Sequence, residues 1–168
     1  MIKYHDHEWC KPHYNDDYLF ELLLLESFQA GLSWECIINK REAFRKALDH
    51  FDYKKISKYN EEKIIELMQN PGIIRNRFKI KAMIQNAKIF QEIQKEFGSF
   101  SNYIWSFTNH KIIQRVGKKM IASNALSKKI SKDLYKRGMR FVGDVIIYSY
   151  LQSIGMINDH EKNCDFIQ

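Results

Sequence analysis

An all-α fold follows from the punctuation and the periodicity of the chain. Only two prolines and seven glycines interrupt 168 residues, and apolar residues recur at three- and four-residue intervals instead of alternating. The connections between apolar runs are short, which points to a compact bundle. At 20.2 kDa the chain has the size of one domain and can bury a substantial core. No internal repeat, low-complexity tract or linker breaks residues 1–168, so a single domain with its termini packed together is expected.

The first helix is expected from about Asp16 to Ala30; it is apolar nearly all round, the mark of a central buried helix, and Gly31 ends it. Ser33 reads as the N-cap of a second helix running to about His50, with Glu35 favourably placed in its first turn. A further helix spans Asn60 to Gln69 and stops at "NPG"; a long amphipathic helix follows from near Arg75 to Phe97. Residues 60–97 therefore form a helix, a tight hairpin and a helix. Beyond Gly98 come a short aromatic helix around "SNYIWSF" and a polar loop from Asn109 to Ser123. The helices "NALSKKISKDLYKRG" and "FVGDVIIYSYLQSIG" complete the chain.

The composition narrows the partners. No signal-peptide pattern opens the chain and no apolar stretch approaches a membrane span; "LFELLLLESF" is broken by two glutamates and suits a buried helix. Three cysteines are too few and too uneven for a disulfide framework, which favours a reducing cytoplasm. A net charge of +7 is the sign expected of a protein that meets phosphates, although a bias towards Lys, Ile and Asn from an AT-rich genome would look similar. The cations also cluster: Arg75, Arg77, Lys79 and Lys81 in "RNRFKIK", and Lys128, Lys129, Lys132, Lys136, Arg137 and Arg140 in "SKKISKDLYKRGMR".

Four stretches could carry chemistry. Glu26 shares a face of the first helix with Leu22, Leu23 and Ala30, where a carboxylate is costly unless paired. It either bridges to a neighbouring helix or faces a pocket, where it would favour a cation or handle a proton. In "ESFQAGLSW", Gly31 lets the backbone turn, Leu32 is an apolar side chain at a loop tip that could wedge between bases, and Trp34 offers a flat surface. In "NPGIIRNRFKIK", Gly72 and the Arg75, Asn76, Arg77 run aim backbone N–H groups and positive charge at one spot, an arrangement that suits a DNA phosphate. In "NDHEKNC", His160 and Cys164 stand i, i+4, which would put two metal ligands on one side of a helical turn. The opening "MIKYHDHEW" could serve as a metal site, an acid/base pair or a pocket wall; His5 is the natural third ligand for the carboxy-terminal pair.

Taken in order, "YHDHEW", "LFELLLLESFQAGLSW", "KRE", "PGIIRNRFKI", "WSFTNHK", "ALSKKISKDLYKRGMRFVG" and "NDHEKNC" resemble the DNA-3-methyladenine glycosylase I family of base-excision repair enzymes, over essentially the whole chain. The resemblance implies a helix-hairpin-helix glycosylase fold whose hairpin at residues 70–76 grips double-stranded alkylated DNA while the target nucleotide is flipped into a pocket. It implies that Glu26 hydrogen-bonds the flipped 3-methyladenine, that Trp34 stacks on it, and that Tyr4 and Trp9 complete the walls. Gly31 and Leu32 would lie against the gap in the duplex. It further implies a structural zinc that ties the termini together through His5, His160 and Cys164. Members of the family usually begin some twelve residues earlier, with a short Cys-containing segment that supplies the fourth ligand; this chain has Met1 instead, so a three-residue site completed by water, or a hydrogen-bonded clasp, is expected. Asp6, His7 and Glu8 are then ordinary surface or supporting groups.

The activity implied is hydrolytic excision of 3-methyladenine without strand cleavage, since no lysine stands out as a Schiff-base nucleophile. A monomer without membrane contact, cytoplasmic and nucleoid-associated in a bacterium, completes the expectation. The competing readings are a non-catalytic DNA-binding protein on the same scaffold and a glycosylase of broader alkyl-base specificity.

Overall fold

The computed structural model describes residues 2–161 and 164, and they are almost entirely helical. The central element is α2 (Asp16–Gln29), capped by the Asn15 side chain, which accepts the Tyr18 amide at 3.1 Å. Every side chain from Leu19 to Phe28 is buried, so this helix has no solvent face to declare and shows no amphipathic pattern. Around it pack α3 (Trp34–Ala47), α6 (Arg77–Phe97), α7 (Phe100–Ser106) and α9 (Asp144–Ser153). The shorter α4 (Tyr53–Ile56) and α5 (Glu61–Met68) lie against α6, and α8 (Ala125–Arg137) pairs with α9.

Caps set most boundaries. Ser33 caps α3 as expected, accepting the Cys36 amide at 3.2 Å. This helix ends at Ala47, before the expected His50, because Asp49, His50 and Phe51 turn left-handed with φ of 50°, 57° and 60°. That turn tucks the Phe51 ring inside, with the Arg45 guanidinium 5.2 Å from its centre. Asn76 caps α6 by accepting the Lys79 amide at 3.1 Å, which moves the helix start from Arg75 to Arg77. Asn124 and Ser127 form a reciprocal capping box on α8, and Gly138, with φ of 110°, ends it.

Besides α4, which lies where the sequence predicts only a short turn, two features have no counterpart in the periodicity. The opening residues form a six-residue helix, α1 (Ile2–His7), and Ile113–Gln114 (β1) pairs in parallel with Ile157–Asn158 (β2). Both are too short to leave a repeat in the sequence, and tertiary contacts hold them. The expected packing of the termini is what does so. The Cys10 amide donates to Gln152 O and the His13 amide to Ile154 O, both at 3.0 Å. Gly155, with φ of 74°, passes so close that a Cβ there would stand 2.1 Å from the Lys11 carbonyl carbon. Among the described residues no helix is long and apolar enough to cross a membrane.

Candidate active site

Three of the expected pocket residues meet where α1, α2 and α3 converge. Glu26, on the last turns of α2, is 1% exposed, and Tyr4 of α1 is 5% exposed. The Tyr4 ring lies 5.5 Å from that of Trp34, tilted by 57°. Of the three, Trp34 alone is partly exposed. Glu26 Oε1 accepts a hydrogen bond from Ser149 Oγ of α9 at 3.0 Å, while Glu26 Oε2 and Tyr4 Oη are buried with no hydrogen-bond partner. Two such groups side by side cost free energy in an apolar interior unless a polar ligand arrives.

Burial sets the charge state. Loss of water pushes the Glu26 carboxyl up to about 8, with Ser149 and Ser153 pulling it partly back. The Tyr4 phenol is raised well above its ordinary value by burial, and further by Glu26. At neutral pH the free protein therefore holds Glu26 mostly as a neutral acid, ready to ionise beside a cation. Ser149 was not anticipated as part of this site. Its signal in the sequence is faint: two serines, Ser149 and Ser153, four residues apart in an otherwise apolar helix.

Trp9 takes a different place. Its ring stacks on His5 at 5.3 Å and meets the edge of His160 at 4.9 Å, so it lines the terminal cluster. Glu8 takes the supporting one of its two expected places. Arg41 Nη1 donates to both Glu8 oxygens, at 3.0 and 2.9 Å, and Arg41 Nε donates to Glu21 Oε1 at 2.7 Å. Arg45 adds a second bond to Glu21 at 2.8 Å, and the Tyr18 hydroxyl donates to Glu8. This network locks α1, α2 and α3 to one another behind the pocket, and it explains the "KRE" stretch as structural.

One turn beyond Glu26 the chain leaves α2 and reaches Gly31, with φ of 79°, and Leu32, 40% exposed at the tip. The root of this turn is held by Lys79, whose Nζ donates to Phe28 O at 2.8 Å and Ala30 O at 2.7 Å. Lys79 is thus turned inward, against the expectation that it faces DNA with the rest of its cluster; burial lowers its pKa. It supplies donors to carbonyls that the helix end leaves without partners.

The hairpin between α5 and α6 packs on α3. A Cβ on Gly72 would stand 3.0 Å from Ala43 Cβ, so glycine permits the approach. Arg75 is exposed. Arg77 pairs with Glu61, and the Asn76 side-chain oxygen is committed to its cap. The second basic cluster divides in the same way. Arg137 lies over Phe97 and Tyr103 and pairs with Asp133 and Glu96, whereas Lys128, Lys129, Lys132 and Lys136 are exposed.

His5, His160 and Cys164 come together as expected, with one ligand atom from each within 4.8 Å of the others. His160 lies outside any helix, directly after β2. Its Nδ1 is 2.7 Å from Asn158 Oδ1, which fixes the proton there, and its buried Nε2 has no hydrogen-bond partner. A lone pair aimed at a second imidazole and a thiol fits a zinc-type donor set. Cys10 stands outside the trio, its sulfur donating to Ile157 O at 3.3 Å. A cavity of about 600 Å³ opens beside the cluster, lined by Trp9, Gly117, Lys118 and Met120 among others.

Comparison with known proteins agrees with this geometry. The chain is 43% identical over 166 residues to the DNA-3-methyladenine glycosylase of Haemophilus influenzae, covering 97% of this chain and 90% of that one. It is 41% identical over 166 residues to DNA-3-methyladenine glycosylase 1 of Escherichia coli, covering 97% and 89%. The structure of 3-methyladenine DNA glycosylase I from Staphylococcus aureus superposes with a TM-score of 0.96 at 35% identity, covering 99% and 90%. With such likeness along nearly its whole length, and with the sequence pattern described as methyladenine glycosylase matched from residue 1 to residue 168, the chain belongs to the methyladenine glycosylase family.

Proposed function

We propose that this protein excises 3-methyladenine from alkylated duplex DNA by hydrolysis, leaving an abasic site and an uncut strand. The observation that carries the reading is Glu26: a buried carboxyl with one oxygen unpartnered, beside an unpartnered phenol and a partly exposed indole. A base methylated at N3 is flat and cationic while attached to its sugar. Trp34 can stack on its face, and Glu26 can lose its proton and hold the charge. Both relatives named above are 3-methyladenine glycosylases, and a variant of that enzyme, 34% identical to this chain, has been solved in complex with 3-methyladenine.

In the reaction the C1′–N9 bond breaks and its electron pair passes to the base, cancelling the base's positive charge. Water then adds to C1′ and its proton leaves to solvent. The leaving group is already activated by its charge, so the protein needs mainly to extrude the nucleotide, exclude water from the base and hold its orientation. Glu26, Tyr4 and Trp34 serve that end, with Trp9 supporting the wall from behind His5. Leu32 on the Gly31 turn fills the gap left in the duplex. Gly72, Arg75, Asn76 and Arg77 meet the backbone, Arg77 by exchanging Glu61 for a phosphate.

The commitment of the Lys79 ammonium to two carbonyls supports hydrolysis over a lysine-linked intermediate. At the termini, His5, His160 and Cys164 would hold a zinc ion that supplies no chemistry to the base and adds to folding free energy. The test is base release: methylated duplex DNA incubated with the protein, products separated by chromatography and strands by denaturing gel. Free 3-methyladenine with strands that break only after alkali is the expected result. No base release, or direct nicking by the purified protein, overturns the reading.

A further inference from the structure

Beside the Leu32 turn lies a surface that the proposed reaction does not use. Phe78, in the first turn of α6, is 79% exposed, the only exposed phenylalanine among the described residues. With Phe141 it lines a shallow, open concavity of about 570 Å³ whose rim carries Lys81 and Arg140 and no acidic group. This concavity adjoins the turn. The Phe141 ring is 5.9 Å from Lys79 Nζ, and the same Nζ donates to Ala30 O at the root of Gly31.

The platform is held in place rather than loosely draped. Phe141 sits in the left-handed region with φ of 56°. Its neighbour Arg140 is pinned to α6 by a reciprocal amide pair with Asn86, the Arg140 amide donating to Oδ1 and Asn86 Nδ2 donating to Arg140 O, both at 2.9 Å. The Arg140 guanidinium is anchored on Met139 O at 2.8 Å and lies 4.2 Å from the centre of the Tyr135 ring. Two aromatic faces fixed between two cations, without a carboxylate, complement a polyanion that carries flat apolar bases.

In a duplex from which one nucleotide has been extruded, most bases remain paired and stacked and cannot reach such a surface. The base opposite the extruded one has lost its partner. We propose that Phe78 and Phe141, flanked by Lys81 and Arg140, form a shelf that receives this unpaired base of the opposite strand while Leu32 occupies the gap. The inference rests on the base-flipping reading given above.

The test uses the full chain and a duplex carrying a stable tetrahydrofuran abasic analogue opposite 2-aminopurine, whose fluorescence reports stacking. The wild-type protein should quench the probe, Phe78→Ala should lose most of that quenching, and Phe78→Trp should restore it. Phe78→Ala should also lower the preference for this duplex over an undamaged one roughly fivefold or more. Equal quenching by wild type and Phe78→Ala overturns the proposal. So does a parallel loss of affinity for both duplexes, or an equal response from 2-aminopurine placed in a flanking pair. Base release by the wild type, measured alongside, separates the failures: no release sinks the glycosylase reading, whereas release with an unresponsive probe sinks the shelf alone.

Discussion

Replacing Glu26 by Gln should remove a pH dependence from the stability of the free protein. Burial moves this carboxyl from an ordinary 4.5 to about 8, so across that window the folded state holds a proton that the unfolded state has released. Stability contributed by such a raised acid is fully present below pH 4.5, and it is lost as pH climbs towards 8. Integrating the difference gives a loss of about 2–3 kcal/mol between pH 5 and 7 and about 1 kcal/mol more by pH 9, after which the curve flattens. Glutamine keeps the shape and titrates nowhere in this range. An amide N–H left without a partner would add an offset of about 1–3 kcal/mol, but that offset is constant with pH. The observable is therefore the slope: urea titrations of both proteins, without DNA and at fixed ionic strength, should give a stability difference that shifts in favour of Glu26→Gln from pH 5 to 9. In thermal scans the same shift is roughly 5–15 °C. Stability curves that stay parallel would mean that Glu26 is ionised and paired throughout, and the account of its resting state would be wrong.

In catalysis the same substitution should act in the opposite sense, slowing single-turnover release of 3-methyladenine by about tenfold to a hundredfold, the loss expected for a hydrogen bond to a charged group; an unchanged rate would remove Glu26 from the pocket. Arg75→Ala should weaken binding of damaged and undamaged duplexes alike and reduce the salt slope by about one, and Arg77→Ala should do less, since Arg77 is paired with Glu61 in the free protein; an unaltered slope in both would take the hairpin out of the interface. Lys79→Met should strip the donors from Phe28 O and Ala30 O, lowering the melting temperature and loosening the Leu32 turn, so that affinity for an abasic-site duplex falls more than affinity for undamaged DNA; an equal fall would make Lys79 purely structural. If His5, His160 and Cys164 hold zinc, the purified protein should contain about one equivalent and chelation should lower its melting temperature; metal-free protein of the same stability would leave the trio a hydrogen-bonded clasp.

The helices that could be read from the sequence are those whose own periodicity, apolar runs and caps announce them: α2, α3 from Ser33, α5 from Asn60, α6, α7, α8 and α9. The elements that could not, α1, α4 and the β1–β2 pair, are too short to repeat; α1 and the strand pair exist because Tyr4 is buried and because residues 10–13 and 155 interlock. A parallel limit applies to the site. The family resemblance implies that Glu26, Tyr4 and Trp34 share a pocket, and the structure brings them together. Which way a cation points was not legible. Lys79 and Arg137 belong to basic runs that read as DNA-facing, yet one ends on backbone carbonyls and the other on two acids and two rings. Apart from Asp133, four residues before Arg137, their partners lie tens of residues away, and a charge commits to whichever partner the packing brings, which local spacing does not record. The contact of Trp9 with His160 was hidden for the same reason, since the two stand at opposite ends of the chain.

The buried acid can be kept where it is because α2 is fixed at both ends by distant parts of the chain. At its start, Asp16 accepts the amides of Phe100 and Ser101 at 2.9 and 2.8 Å, so one carboxylate joins the amino end of α2 to that of α7. At its end, Lys79 brings the first turn of α6 onto the last carbonyls. Between them, Arg41 and Arg45 clamp Glu21 to α3, and Ser149 reaches in from α9 to Glu26. In the proposed reaction, base recognition and gap filling fall on neighbouring parts of the chain, since α2 ends three residues after Glu26 and Leu32 stands three residues beyond that end, on the turn whose root Lys79 holds. Orientation errors of about 1 Å can cost catalysis a hundredfold; a helix braced at both ends holds the carboxyl in place, and Lys79, which ties the Leu32 turn to the end of that helix, would keep the proposed wedge in register with it, so that a nucleotide expelled by Leu32 would arrive where Glu26 can ionise against it.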